Sequence, residues 1–380
     1  MNERMLSGLR EAMSVLHRDG PLAATDKIQQ TLRGLMPEGT WTGDTRPQGQ
    51  PEPLVKAAGV LPDLLARLGI EVPLGRTPDT RPSAPRAAPK DAEDAPAAGK
   101  FLAGSFTNQA GTRAYKLYVP TAWQGQPLPL VVMLHGGGQT PDDCAAGTRF
   151  NRLAEAGPCL VLYPAQAPTM NATRCWNWFD PLNQQRDQGE PAIIAGMTQE
   201  VIDSYNVDPA RVYCTGMSAG GAMAVILGAT YPDLYAAVGA HSAMPYAAAS
   251  DFSSAFTAMS GAAAPAATKR LQGVPVIVFH GDRDETVHPR NGDQIMTQAL
   301  PSAATELVRE GQAGAGHPYT QRVHTGADGR VVAEQWLVHG AGHAWSGGSR
   351  SGSYTDAQGP DASREMLRFF AAHRQRAVEA

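Results

Sequence analysis

Val212-Tyr213-Cys214-Thr215-Gly216-Met217-Ser218-Ala219-Gly220-Gly221 is the stretch that decides the fold. Val212 to Thr215 is a short apolar run of strand type, and Gly221 to Thr230 reads as the helix that follows it. Between them stands Gly-x-Ser-x-Gly, at Gly216 to Gly220. A serine on so tight a strand-to-helix turn needs glycines beside it, because side chains at those positions would clash. The new helix also begins beneath Ser218, so its free N–H groups and its dipole favour negative charge there. Taken as structure alone, the stretch is a glycine-rich turn. The strand before it and the helix after it favour Ser218 as a candidate nucleophile.

Working outward, continuous apolar runs recur at Leu130 to Leu134, Cys159 to Tyr163, Ala236 to Ala240, Val274 to Phe279 and Gln335 to Val338, and Thr112 to Pro120 alternates like a half-buried strand. Helical patterns separate several of them, among them Ile193, Ile194, Met197, Val201 and Ile202. Alternating strands and helices predict an α/β fold with a mostly parallel sheet of about eight strands and helices on both faces. The Ala- and Ser-rich piece from Ser250 to Thr268 reads as a loop or short helices over the top of that sheet.

A serine hydroxyl is a poor nucleophile until a base takes its proton, and the base needs an acid to hold its tautomer. Two loops after predicted strands offer these partners. One is His280-Gly281-Asp282-Arg283-Asp284 and the other is His339-Gly340-Ala341-Gly342-His343. Asp284 lies deeper in its loop than Asp282, where a side chain can turn back over the sheet, so Asp284 is the expected acid and Asp282 a turn residue. His343 is the expected base, with His339 nearer its strand end.

His135-Gly136-Gly137-Gly138-Gln139 follows the run Leu130 to Leu134 and has the form of a loop that supplies N–H groups to an oxyanion. The expected donors are Gly137 or Gly138 and Ala219. Trp176, in Cys175-Trp176-Asn177-Trp178-Phe179, and Trp345 lie in predicted loops and are expected to line a substrate cleft together with Gln139. The four cysteines have neither Cys-x-x-Cys nor Cys/His spacing, so no metal site is expected. Cys159 and Cys214 fall in strand-like runs and read as buried thiols. Cys144 and Cys175 read as loop residues able to form a disulfide.

The first part of the chain differs. Residues 1–75 carry amphipathic helical patterns, such as Leu54, Ala58, Leu61, Leu65 and Leu68, and are expected to cover the main domain, another chain or an apolar surface. Residues 76–100 turn to Pro, Ala, Asp and Arg and read as a linker, which leaves 101–380 as the main domain. The length of 380 residues allows one large domain and an appendage. A net charge of −4 without any basic run argues against nucleic acid as a partner. No apolar run approaches the ~20 residues of a membrane span, and Met1 to Asp19 lacks the pattern of a secretory leader.

Leu134 to Gln139, Cys175 to Trp178, Gly216 to Gly221, His280 to Asp284 and Gly342 to Trp345 together resemble the esterases of the polyhydroxybutyrate depolymerase family, related to feruloyl and acetylxylan esterases. The resemblance covers about Phe101 to Phe370. It implies an α/β-hydrolase fold, no cofactor, a Ser218, Asp284 and His343 triad, and an extracellular enzyme that hydrolyses a polyester or a bulky acyl or aryl ester. The absence of a visible leader keeps a cytoplasmic location as the alternative. Other outcomes to weigh are a feruloyl or acetylxylan esterase and, from a different class, a binding protein that keeps the fold without the chemistry.

Overall fold

The computed structural model describes residues 97–263, 271 and 273–375. The expected helical extension and the expected linker as far as residue 96 lie outside these residues. Lys100, placed at the end of that linker, is the first residue of a strand.

The hairpin of β1 (Lys100–Asn108) and β2 (Gly111–Val119) pairs antiparallel with β4 (Leu160–Pro164). From β4 the sheet runs parallel through β3 (Leu128–Leu134), β5 (Val207–Met217), β6 (Ala237–His241), β7 (Val276–Gly281) and β10 (Val331–Val338). The antiparallel strands β9 (Pro318–Thr325) and β8 (Thr305–Gln312) complete ten strands in the order β1-β2-β4-β3-β5-β6-β7-β10-β9-β8. A short parallel ribbon of β11 (Trp345–Ser346) and β12 (Thr355–Asp356) stands apart. The sheet is therefore larger than the eight strands expected. The surplus comes at its margins, where β8 is exposed along nearly its whole length and so carries no apolar signal.

Side chains of the parallel strands alternate between two cores, as a period of two requires. Leu130, Val132, Val276 and Val278 face one layer, and Val131, Met133, Ile277 and Phe279 face the other. The first layer is covered by α3 (Gly189–Ser204), α4 (Ala219–Thr230), α5 (Phe252–Met259) and α6 (Arg290–Ala299). The second is covered by α1 (Pro141–Thr148), α2 (Phe150–Ala156) and α7 (Ala362–Ala371). Helix α4 is buried from Ala219 to Ala229, which explains its apolar composition on every face. Among the described residues no helix is long and apolar enough to cross a membrane.

All four cysteines are free, which corrects the expected Cys144–Cys175 bridge. Cys144 is not in a loop. It lies on α1 and packs into the second layer, whereas Cys175 packs against the first, so the sheet stands between them. The start of α1 was written in the sequence: Thr140 caps the helix, Pro141 occupies its first turn and Asp142 and Asp143 follow. Burial pushes every thiol up, Cys175 to about 12, which leaves little reactive thiolate.

Because β3, β5, β7 and β10 are parallel, the loops that follow them leave one edge of the sheet. In open α/β sheets that edge is where ligands bind. His135–Gln139, Ser218, Asp284 and His343 all lie in those loops or at the turn after β5.

Candidate active site

Strand β5 ends at Met217 and α4 starts at Ala219, so Ser218 alone makes the turn, at φ 55° and ψ −121°. Such a conformation costs a residue with a side chain on the order of 1–3 kcal/mol and is held only where the surroundings enforce it. Here Ser218 N donates to His241 O at 2.9 Å, which extends the β5–β6 ladder through the turn. The glycines are steric necessities: a Cβ on Gly216 would stand 2.5 Å, and one on Gly220 2.2 Å, from Leu134 O. Ser218 Oγ has no hydrogen-bond partner among the described residues. Contacts between a nucleophile and its base are commonly long until substrate is present.

His343 and Asp284 are brought together. The imidazole Nδ1 lies 2.7 Å from Asp284 Oδ2, which makes Nδ1–H the donor and leaves Nε2 as the basic nitrogen. The Asp284 side chain is fully buried. Its Oδ1 accepts from Thr286 N at 2.9 Å and Val287 N at 2.8 Å, and His280 Nε2 stands 3.5 Å from Oδ2. Burial works against the carboxylate charge, but the hydrogen bonds and charge of His280 and His343 hold Asp284 well below the usual carboxylate range. His280 is itself anchored, with Nε2 donating to Val287 O at 2.8 Å.

Asp282 pairs elsewhere. Its Oδ2 lies 3.0 Å from His339 Nδ1, its Oδ1 accepts from Gly340 N at 2.7 Å, and His339 Nε2 meets Thr320 Oγ1 at 2.9 Å. This half-exposed chain ties the β7 and β10 loops to β9. It does not touch His343.

In the loop after β3, two of the three glycine N–H groups are taken. Gly136 N donates to Gln139 Oε1 at 2.9 Å and Gly138 N to Thr173 O at 2.7 Å. Gly138 is thereby corrected as an oxyanion donor, since its N–H is already spent on the backbone. Gly137 N has no acceptor among the described residues, and neither has Ala219 N at the first position of α4. Gln139 is also corrected: its buried side chain binds Gly136 N, Asp143 Oδ2 at 2.8 Å and Ser353 O at 3.1 Å, so it shapes the loop instead of meeting substrate.

Both tryptophans are corrected too. Trp176 and Trp345 are buried and so have almost no surface to offer a substrate. Each braces a buried histidine. Trp176 Nε1 donates to His135 O at 3.0 Å with the two rings 5.4 Å apart, and Trp345 stacks on His241 at 5.0 Å while its Nε1 donates to Ser363 Oγ at 3.0 Å.

The sequence gives neither ring a role: His135 opens the glycine loop after β3 without showing what its ring meets, and nothing separates His241 from an ordinary core residue. His135 Nδ1 donates to Gly136 O at 2.8 Å and its Nε2 accepts from Gln166 N at 3.0 Å. His241 Nε2 accepts from Ser346 N at 2.9 Å, and Nδ1 faces Ser242 Oγ at 3.2 Å. Both rings are therefore held neutral. Burial, with the Arg174 charge adding to it, lowers His135 to about 4, and burial with the His280 and His343 charges lowers His241 to about 3.

An acid-stability prediction follows from the sign of these shifts. The unfolded chain takes up protons near pH 6.5 and the native rings do not, so stability is full above pH 6.5 and falls as pH drops towards 4, by about 3 kcal/mol for each histidine. Asp284 adds a loss only below about pH 4, where its unfolded carboxyl protonates. Urea unfolding at pH 7, 5.5 and 4.5 should show the midpoint falling steadily. A flat profile would mean that these rings are not held neutral.

A second buried network supports the same loop. Glu190 accepts from Asn177 N at 2.8 Å and Asn177 Nδ2 at 3.0 Å, meets Gln166 Nε2, and pairs with Arg113 at 3.4 Å. Gln166 Nε2 also donates to Cys175 O at 3.0 Å. Burial raises the Glu190 carboxyl against these partners. Among the described residues no cluster of three His, Cys, Asp or Glu side chains could hold a metal ion.

The family described as Esterase PHB depolymerase matches residues 113–313, a span that contains Ser218 and Asp284 and ends before His343. The chain is similar to poly(3-hydroxyalkanoate) depolymerase C of Paucimonas lemoignei, 32% identical over 251 residues that cover 62% of this chain and 59% of that protein. It is also similar to feruloyl esterase B of Neurospora crassa, 28% identical over 258 residues covering 62% of this chain and 85% of that one. Among solved structures, an acetyl xylan esterase from Aspergillus awamori superposes with a TM-score of 0.56 at 18% identity, covering 71% of this chain and 99% of that chain. At that identity the likeness shows the fold, an α/β-hydrolase, and no more.

Proposed function

The chain belongs to the Esterase PHB depolymerase family, and from that premise we propose that it is a carboxylic-ester hydrolase working through an acyl-enzyme on Ser218. The observation that carries this reading is the 2.7 Å pairing of His343 Nδ1 with the buried Asp284 carboxylate, which leaves Nε2 free to act as base. His343 takes the Ser218 proton as Oγ attacks the ester carbonyl. The negative charge that develops on the carbonyl oxygen is met by Gly137 N–H and Ala219 N–H, each such donor being worth about 3–4 kcal/mol. Collapse expels the alcohol, which receives the proton from His343, and water then hydrolyses the acyl-enzyme by the same steps. Asp284 stays ionised and stabilises the imidazolium.

The proposed substrate is a hydroxyalkanoate polyester or its oligomers, in keeping with the depolymerase that the chain resembles across 59% of that protein's length. Feruloyl or acetylated polysaccharide esters are the second reading, supported by the likeness to feruloyl esterase B. Extracellular action on either substrate is part of the proposal, in keeping with the likeness to the depolymerase. A hydrolysis panel of p-nitrophenyl butyrate, 3-hydroxybutyrate oligomers, methyl ferulate and acetylated xylan tests the proposal. Turnover on the hydroxybutyrate oligomers, lost after treatment with a serine-directed phosphonate, is the expected result. No turnover on any of them would leave a binding protein on a hydrolase fold.

A further inference from the structure

The loop after β4 makes a tight turn against the oxyanion loop. Asn171 Oδ1 accepts from Thr173 Oγ1 at 2.8 Å, Thr173 N at 3.1 Å and Cys175 N at 3.3 Å, and Asn171 Nδ2 donates to Asn177 Oδ1 at 2.9 Å. Arg174 N donates to Asn171 O at 2.9 Å. Within this turn Arg174 sits at φ 49°, a left-handed conformation that a residue with a side chain keeps only when its neighbours impose it.

The residues on either side of Arg174 both touch the oxyanion loop. Thr173 O accepts from Gly138 N at 2.7 Å, and Cys175 Cβ stands 3.7 Å from where a Cβ on Gly137 would be. Arg174 itself is exposed and has no carboxylate within ion-pair distance among the described residues. Its charge nevertheless reaches the histidine at the base of the loop, where it adds to the effect of burial on His135. Asp143, whose charge opposes that of Arg174 at His135, accepts hydrogen bonds from Gln139 and Ser353 and forms no ion pair with the arginine.

A guanidinium carried on a turn whose backbone packs against the oxyanion loop, with no ion-pair partner among the described residues, is suited to a second negative charge on the substrate, because its planar fork matches a carboxylate. We propose that Arg174 is a specificity-determining residue that binds a free carboxylate on the ester, a few bonds from the scissile carbonyl. This rests on the esterase reading above and narrows it: short hydroxyacid oligomers with a terminal carboxylate are preferred over their neutral counterparts.

The carboxylate can belong to the alcohol part or to the acyl part of the ester, and two probe pairs separate these. The 3-hydroxybutyrate dimer against its methyl ester places the charge on the alcohol, and mono-p-nitrophenyl succinate against p-nitrophenyl butyrate places it on the acyl group. For each pair the ratio of kcat/KM, charged over neutral, is measured for the wild type, Arg174→Gln and Arg174→Lys. In at least one pair Arg174→Gln should lower the ratio roughly five- to tenfold, and Arg174→Lys should recover part of it. The wild-type ratio should also decline as salt is raised, since an exposed pair is screened. A ratio unchanged by Arg174→Gln in both pairs, whether or not both activities fall together, would overturn the proposal. Wild-type protein inert on all four esters would instead remove the esterase reading beneath it.

Discussion

Ser218→Ala is expected to lower ester turnover by about a thousandfold or more while the purified protein keeps its far-UV spectrum and its unfolding midpoint. The two halves of that result have separate causes. The hydroxyl has no hydrogen-bond partner among the described residues, so nothing in the native packing is lost when it is removed. The backbone turn survives as well, because it is held by Ser218 N donating to His241 O and by the close packing of Gly216 and Gly220 on Leu134. Chemistry alone depends on the oxygen. The residual rate would come from the oxyanion donors and from binding. Steady-state kinetics with p-nitrophenyl butyrate, beside circular dichroism and urea unfolding, measure both halves. Wild-type turnover in a folded Ser218→Ala protein would remove Ser218 from the mechanism.

The second large effect separates two carboxylates that stand two residues apart. Asp284→Asn should reduce kcat by about a thousandfold to ten-thousandfold, because an amide no longer fixes the His343 tautomer or stabilises the imidazolium. The amide oxygen can still accept from Thr286 N and Val287 N, so the loop itself is preserved. Asp282→Asn removes only a half-exposed contact with His339, a kind of pair worth about 1 kcal/mol or less, and should cost no more than a few-fold in rate. Kinetics on the two variants at one pH decide the matter. Equal losses, or a larger loss at Asp282, would move the acid from Asp284.

Much of this arrangement is legible in the chain. The strand before Gly216 and the buried helix after Ser218 are continuous apolar runs, and β3 and β7 are equally plain because a parallel strand buried on both faces has no polar side to show. The order of Ser218, Asp284 and His343 along those strands then puts them at one sheet edge. Asp284 and Asp282 stand at different depths in their loop, and the two carboxylates meet different histidines.

What was not legible has physical reasons. Strand β8 lies at the outer margin of the sheet with polar and exposed side chains, so periodicity has nothing to report there. Trp176 and Trp345 are loop residues in sequence, yet their loops fold back over His135 and His241 and bury them. Which glycine N–H stays free depends on Gln139 and Thr173, partners that lie on either side of the motif and that spacing does not reveal. Cys144 reads as a loop residue because its short helix, Pro-Asp-Asp-Cys-Ala-Ala-Gly-Thr, has almost no apolar periodicity and is signalled only by the cap at Thr140.

The most direct measurement of the central claim is covalent labelling. The protein is treated with a fluorophosphonate, digested and read by tandem mass spectrometry, alongside an esterase assay on the same sample. The account predicts one phosphonyl adduct, on Ser218, whose extent tracks the loss of activity. Full activity with Ser218 unmodified, or inactivation tracking an adduct on a different residue, would contradict it.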